Sequence, residues 1–287
     1  MFKRRDFIAA AALWPGARLL TARPSLAGLK IGVTDWNLGQ AGKAEAVGLA
    51  AQLGFEGVEV SLGRKPVGGK LHLDNAELQA AYLAAAKEYK VGLAGTCLDI
   101  LHDNFLKSDK LGQKWVADAI PITRRLGARV MLLPFFGKAA LHTREEMEYV
   151  GDLLRDLGQE AKKAGVILGL EDTISAEDNA RIMERSRSEA VLTYYDVGNS
   201  TNAGFDPAKE IHWLGAKRIC QFHLKDNPHY LGEGKINFPS VMSAISNLGD
   251  WRGFANLETV SPSKSVEQDM RRNLEYVRKL VRLEGGA

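Results

Sequence analysis

One pattern recurs along most of the chain and limits its fold. A helix-like stretch ends in a small or apolar residue followed by Gly, and a short apolar run follows within a few residues. The five copies are Leu53-Gly54 before residues 58–60, Leu126-Gly127 before 130–133, Ala164-Gly165 before 166–170, Leu214-Gly215 before 219–222, and Leu248-Gly249 before 254–257. Gly fits the end of a helix because it takes positive φ without a Cβ clash. The pattern therefore predicts helices alternating with buried strands.

Three further apolar runs, at residues 30–34, 91–96 and 191–195, bring the number of predicted strands to eight. Helical patterns such as 75–89 and 143–163 separate them. Apolar strands alternating with helices predict a parallel sheet covered by helices, and eight such units in about 250 residues predict an α/β fold, the (β/α)8 TIM barrel. The alternative is an open, doubly wound sheet. However, residues 35–39 (DWNLG) after the first strand lack the glycine pattern of dinucleotide-binding folds.

The first 27 residues resemble an export signal. Residues 3–8 (KRRDFI) form a twin-arginine pattern, residues 8–13 are apolar, and Ser25-Leu26-Ala27 offers a small-x-small cleavage site. We therefore expect a twin-arginine-type signal peptide at 1–27, a single barrel domain at 28–287, and a periplasmic or secreted protein. An ordinary amphipathic extension or anchor at the N-terminus is the alternative.

Charge and composition exclude several partners. The whole chain carries 38 basic and 35 acidic residues, but without residues 1–27 the counts are 33 and 34, a net charge of −1. We therefore expect no binding to nucleic acid or anionic membranes. No apolar run reaches the roughly 18–20 residues of a membrane span. Cys97 and Cys220 are far apart in predicted strands, which favours unpaired buried thiols. A homo-oligomer is compatible with the sequence.

Polar residues close each of the last four predicted strands. They are Glu171, Asp196, His223 and Glu258, at intervals of 25, 27 and 35 residues. In a barrel, residues that end successive strands point into a common mouth. Three carboxylates meeting there would repel one another unless a cation neutralised them. The oxygen-rich set with one nitrogen favours Mn²⁺, Mg²⁺ or Co²⁺, and Zn²⁺ is also compatible. Each residue taken alone could equally be a strand-end cap or an ion-pair partner.

These strand ends also resemble a known family. Residues 169–173 (GLEDT), 195–199 (YDVGN), 222–226 (FHLKD) with 231–234 (LGEG), and 256–259 (NLET) resemble the xylose isomerase-like barrel superfamily. The resemblance is to its sugar phosphate isomerases and epimerases, of which the ketose 3-epimerases are the best understood. It implies that Glu171, Asp196, His223 and Glu258 are the metal ligands. It further implies that Glu171 and Glu258 are an acid/base pair on opposite faces of the substrate.

The resemblance implies a metal-dependent isomerase or epimerase that removes a proton α to a sugar carbonyl through a metal-stabilised enediolate. A lyase or hydrolase acting on 3-keto glycosides is an alternative, because the same proton loss can expel a β leaving group. An apurinic endonuclease shares this barrel, but it needs a histidine-rich trinuclear zinc site and a basic face. This chain has one histidine in its predicted ligand set, and its net charge without residues 1–27 is near zero. A sugar-binding barrel without catalysis is a further alternative.

Further residues are candidates for substrate binding. Asn199 and His229 stand where the ketose 3-epimerases place a substrate-contacting histidine and arginine, and this difference argues against a free ketohexose as the substrate. Glu177 matches a substrate-contacting glutamate of those enzymes, and is equally compatible with an exposed acid at a helix start. The other candidates each have a structural alternative: Lys225 and Asp226 as a loop ion pair, Glu59 as a buried partner of a basic side chain, and Trp36 as a core aromatic.

The leader generates a first prediction. If residues 1–27 are a cleaved signal, N-terminal sequencing of exported protein will begin at Gly28, because processing follows the small-x-small site. Exported material beginning at Met1 or Phe2 would contradict the assignment.

Overall fold

The computed structural model describes residues 26–285, which form a closed barrel of eight parallel strands. Each strand pairs with its neighbours in chain order, and β1 pairs with β8 from Leu29 opposite Gly253 to Val33 opposite Leu257. The strands are β1 (Leu29–Thr34), β2 (Gly57–Ser61), β3 (Gly92–Cys97), β4 (Val130–Pro134), β5 (Ile167–Glu171), β6 (Val191–Asp196), β7 (Ile219–Leu224) and β8 (Gly253–Leu257). The predicted (β/α)8 TIM barrel is confirmed, and the open sheet is excluded. The predicted signal peptide lies outside the described residues except for its last two positions.

Helices connect the strands. They are α1 (Glu45–Leu53), α2 (Ala76–Tyr89), α3 (Lys110–Arg125), α4 (Arg144–Ala164), α5 (Ala176–Ser186), α6 (Val197–Asn202), α7 (Pro207–Leu214), α8 (Phe238–Ser246) and α9 (Val266–Gly285). Two short 3₁₀ turns, Asp99–His102 and Gly137–Ala139, follow β3 and β4. None of the helices in the described part of the chain combines the length and the apolar character that crossing a membrane requires.

The glycines of the repeated pattern adopt the conformation expected of them. All five have φ between +68° and +95°. At Gly54 and Gly165 the backbone N–H turns back to carbonyl oxygens in the last turn of α1 and α4. These residues therefore end the helices and direct the chain into the next strand.

The two faces of the sheet bury different kinds of side chain. Outward-facing residues such as Val58, Val60, Leu168 and Leu170 pack with the helices in the main hydrophobic core. A smaller apolar cluster contains Cys97, Val130, Leu132, Tyr194 and Cys220, and both cysteines are free and buried as predicted. Several polar side chains are also fully or almost fully buried in the strands: Glu59, Gln221, His223 and Asn256.

Two strand glycines leave room for the larger side chains of this interior. A Cβ on Gly32 would lie 1.9 Å from Oδ1 of Asn256, and a Cβ on Gly169 would lie 3.1 Å from Cβ of Tyr194. A polar interior of this size therefore fits only because some facing positions have no side chain.

This crowding predicts the effect of one methyl group. Gly32→Ala should lower the free energy of unfolding by about 1–3 kcal/mol, because Asn256 must move within a close-packed interior. Gly92→Ala is the matched control, since its Cβ would make only ordinary contacts, 3.4 Å from Phe254 and 3.5 Å from Glu56. Urea unfolding of both variants measures the difference, and equal stabilities would contradict the packing argument.

Candidate metal centre

The barrel brings the four predicted ligands together. Glu171 and Asp196 are the last residues of β5 and β6, His223 is the next-to-last residue of β7, and Glu258 directly follows β8. Each offers one ligand atom, and these four atoms all lie within 4.8 Å of one another. The parallel arrangement of β5 to β8 explains the convergence, because the carboxyl ends of all four strands open at the same end of the barrel.

His223 lies at the centre of this cluster. Its Nδ1 is 2.9 Å from Oε1 of Glu171, 3.4 Å from Oε2 of Glu258 and 3.6 Å from Oδ2 of Asp196. The ring is fully buried, whereas the side chain of Glu258 is 20% exposed. The cluster therefore has a closed floor at His223 and an open side at Glu258.

Lys225 supplies positive charge to the open side. Its Nζ lies 2.6 Å from Oδ2 of Asp196 and 2.5 Å from Oε2 of Glu258. Although burial favours the neutral acid, Lys225 and His223 hold the pKa of Asp196 well below its usual range. The other oxygen of Asp196 accepts the backbone N–H groups of Gly198 (2.7 Å) and Asn199 (2.8 Å) at the start of α6. Asp196 is therefore held as a carboxylate from both sides.

Burial acts differently on the other two groups. It raises the pKa of Glu171 to about 8, against the opposing effect of His223. Burial also disfavours charge on His223, but the surrounding Glu171, Glu258 and Glu59 carboxylates together raise the pKa of its imidazole well above the usual range. The cluster thus combines excess negative charge with low solvent access, the setting in which a cation is bound most strongly.

The donor set fits a divalent metal. Ligands about 2.1 Å from a cation in tetrahedral or octahedral geometry lie about 3.0–3.4 Å apart, close to the 2.9–3.6 Å separations around Nδ1 of His223. Oδ2 of Asp196 is buried and, despite its ion pair with Lys225, has no hydrogen-bond partner of acceptable geometry. Residues Glu171, Asp196, His223 and Glu258 could therefore hold Mn²⁺, Mg²⁺, Co²⁺ or Zn²⁺, and the geometry does not select among them.

The opposite nitrogen of His223 contacts Glu59, one of the candidates for substrate binding. Nε2 lies 2.7 Å from Oε2 of Glu59, which is fully buried. Glu59 lies in the middle of β2, two residues before the strand ends at Ser61. Of the two roles considered for Glu59, the structure therefore places it as the buried partner of a basic side chain.

Sequence reasoning missed the layer beneath the ligands. This layer consists of the residues that stand two positions before Asp196, His223 and Glu258, namely Tyr194, Gln221 and Asn256. Nδ2 of Asn256 lies 2.7 Å from the hydroxyl of Tyr194 and 3.2 Å from Oε1 of Gln221. Side chains two residues apart in a strand face the same side. This alternation, counted back from each predicted ligand, would have identified the layer.

Two other predicted residues reach the cluster. Nε1 of Trp36 donates a hydrogen bond to Oε1 of Glu258 (3.2 Å), so its ring is held beside the open side. Nδ2 of Asn199 donates to Oε1 of Glu171 (3.3 Å). Both residues can therefore orient a glutamate of the cluster.

The remaining candidates lie elsewhere. Asp226 is buried, and its oxygens accept the backbone N–H groups of Gly232, Gly234 and Lys235, so it holds that loop; it also lines the cavity beside Lys225. Glu177 is exposed in the first turn of α5. His229 is exposed in the loop after β7, and it lines a cavity beside Lys225.

Comparison with protein families identifies one family that covers most of the chain. A family described as xylose isomerase-like TIM barrel matches residues 47–280. No curated protein matches the chain at a significant level.

Solved structures of similar fold include sugar epimerases. An L-ribulose 3-epimerase is 15% identical, with a TM-score of 0.74 and coverage of 89% of this chain and 95% of the other. A 3-keto-D-glucoside 4-epimerase from E. coli is 19% identical, with a TM-score of 0.68 and coverage of 88% and 99%. The IOLI protein, solved with a bound zinc atom, is 15% identical, with a TM-score of 0.69 and coverage of 89% and 99%. At these identities the likeness establishes the shared fold.

The cluster predicts stabilisation by a divalent cation. Mn²⁺ or Zn²⁺ at about 100 times its Kd should stabilise the chelator-treated protein by about 2.7 kcal/mol, or about 5–10 °C in Tm. Asp196→Asn should lose most of this gain, because it removes a charged ligand while keeping an oxygen for the α6 cap. Glu177→Gln, an exposed carboxylate outside the cluster, is the control and should behave as wild type in thermal unfolding. An equal gain in Asp196→Asn would exclude this cluster as the binding site.

Proposed function

The chain belongs to the xylose isomerase-like TIM barrel family, and from this premise we propose that it is a metal-dependent sugar isomerase or epimerase. It removes a proton from the carbon next to a sugar carbonyl. The observation that carries the proposal is the convergence of Glu171 and Glu258 with Asp196 and His223 at the open end of the barrel.

In this proposal the four residues Glu171, Asp196, His223 and Glu258 hold a divalent cation. When bound, such a cation would act as a Lewis acid toward a substrate carbonyl and would stabilise the negative charge that develops on proton loss. Asp196 and His223 serve as ligands alone, because the second polar atom of each is hydrogen-bonded on the side away from the cluster.

Glu171 and Glu258 are the proposed acid/base pair. A carboxylate held beside the substrate carbon accepts its proton, and a second carboxyl group on the other face returns one, which inverts the carbon. Glu258 is oriented by Trp36 on one oxygen and by Lys225 on the other. Glu171 is oriented by Asn199 and His223.

A cavity of about 340 Å³ adjoins the cluster at Lys225. This volume lies within the range of small-molecule sites. Side chains that can donate hydrogen bonds to sugar oxygens line it: Asn199, Asn202, Lys225, Asn227, His229 and Lys235. We propose that the part of the sugar beyond the reacting carbon lies in this cavity.

The substrate is proposed to be an unphosphorylated sugar or an oxidised glycoside. The predicted export signal supports this class, because sugar phosphates are cytoplasmic metabolites. Asn199 and His229, in place of the histidine and arginine of ketose 3-epimerases, favour a substrate other than a free ketohexose. The similar fold of a 3-keto-D-glucoside 4-epimerase makes keto-glucosides suitable test compounds.

Proton NMR in D₂O tests the function directly. The metal-loaded chain is incubated with free ketoses and with 3-keto glucosides, and deuterium incorporation next to the carbonyl is followed. Glu171→Gln and Glu258→Gln should each slow exchange by about 10²–10⁴-fold, the usual contribution of a general acid or base. Glu160→Gln, an exposed carboxylate of α4 outside the cluster and the cavity, should exchange at the wild-type rate.

The products distinguish the alternatives. Deuterium uptake with appearance of an epimer supports the proposal, whereas release of the aglycone from a 3-keto glucoside would replace it with a lyase or hydrolase using the same first step. Absence of exchange with either class, together with sugar binding unchanged in Glu171→Gln, would overturn the catalytic proposal in favour of a sugar-binding barrel.

A further inference from the structure

Glu59 is a buried carboxylate that the proposed reaction does not use. It lies in the middle of β2 and is fully buried. Its Oε2 is 2.7 Å from Nε2 of His223, accepts the hydroxyl of Tyr194 (2.9 Å), and lies 3.4 Å from Nδ2 of Asn256. Three potential donors thus surround one carboxylate oxygen beneath the cluster.

Its position excludes direct contact with substrate. The carboxylate lies against Nε2 of His223, whereas the other three cluster residues lie against Nδ1, so the imidazole ring separates Glu59 from them. The His223 ring itself is fully buried. Glu59 can therefore act on the site only through His223.

Burying a carboxylate is costly unless it is paired. A hydrophobic or amide side chain would fill the same interior position at lower cost. Among the described residues, His223 is the one basic side chain within ion-pair distance of Glu59. The imidazole ring of His223 is therefore the group that pairs with the Glu59 carboxylate.

The carboxylate is itself held in place. Asn256 links Tyr194 to Gln221, and Nε2 of Gln221 donates to the backbone carbonyl of Ala94 in β3 at 2.6 Å. This chain of contacts joins strands on different sides of the barrel to Glu59. The Glu59 carboxylate is thus held by contacts from several strands of the barrel and not by β2 alone.

We propose that Glu59 is a positioning residue that holds the His223 ring with Nε2 as donor and Nδ1 facing Glu171, Asp196 and Glu258. A ligand histidine whose second nitrogen donates to a carboxylate is fixed in tautomer and orientation and is a stronger ligand. The inference rests on the proposed metal centre and adds that its affinity is set in part from β2, a strand that contributes none of the four ligands.

The test measures metal affinity and the state of the histidine ring in the full chain. Isothermal titration with Zn²⁺ should give a Kd about 10-fold higher for Glu59→Gln, which retains an acceptor without charge, and up to about 100-fold higher for Glu59→Ala. In ¹⁵N-histidine-labelled, Zn²⁺-loaded protein, the wild type should show a downfield, slowly exchanging Nε2 proton on His223. Glu59→Ala should lose that signal.

Asp35→Asn is the matched control, since Asp35 is an equally buried carboxylate at the end of β1. It accepts backbone N–H groups of Gly42 and Ser61 and makes no contact with His223. This variant should bind Zn²⁺ within about twofold of wild type even where it unfolds more easily. If a general loss of stability were the cause, Zn²⁺ binding would weaken in Asp35→Asn as much as in the Glu59 variants.

The outcomes separate the two claims. If Asp196→Asn binds Zn²⁺ as tightly as wild type, the proposed centre fails, and the role of Glu59 fails with it. If Asp196→Asn loses binding while Glu59→Gln retains wild-type affinity and an unchanged Nε2 proton signal, the inference about Glu59 alone is overturned. Where Glu59→Ala does not fold, Glu59→Gln decides.

Discussion

The site is organised around a single imidazole ring that contacts carboxylates through both nitrogens. Nδ1 of His223 faces Glu171, Glu258 and Asp196, and Nε2 faces Glu59. A ring in this position cannot rotate without losing a charge-assisted contact on each side. The cluster residues of β5, β6 and the β8 end are therefore arranged about a ring that also contacts a buried carboxylate on its opposite side.

The same arrangement brings together more carboxylates than the neighbouring basic side chains can neutralise. Four carboxylates lie within reach of His223, and Lys225 is the second cation among the described residues at this cluster, paired with Asp196 and Glu258. Among the described residues, no lysine or arginine pairs directly with Glu171, and burial raises its pKa to about 8, so the free carboxyl tends to hold a proton. A bound divalent cation would take the place of that proton and neutralise the carboxylates, which gives a physical reason for metal binding independent of any family resemblance.

The sequence was sufficient to predict the barrel and the convergence of the four strand-end residues, because both follow from periodicity. Glycines end helices and polar residues end apolar strands, and each signal is local. The role of Glu59 was not local: β2 and β7 are not neighbours in the sheet, so no pairing rule joins Glu59 to His223. The contacts of Asp226 with its own loop also depend on three-dimensional geometry, and a charged residue beside a ligand has the same appearance in sequence whichever role it plays.

Because residues contact one another across the barrel interior, substitutions at the mouth and in the interior have different effects on the site. Residues that would face the substrate lie on loops and strand ends, for example His229 and Asn199. Residues that set the ring of His223 lie in the packed interior, where Gly32 leaves space that Asn256 fills. Substitutions at the mouth can alter which sugar fits without disturbing the ring, whereas a substitution in the interior affects the ring and the packing of the barrel together. If the proposed function holds, the barrel separates selection of the substrate from control of the ligand geometry by placing them at different depths of the same strands.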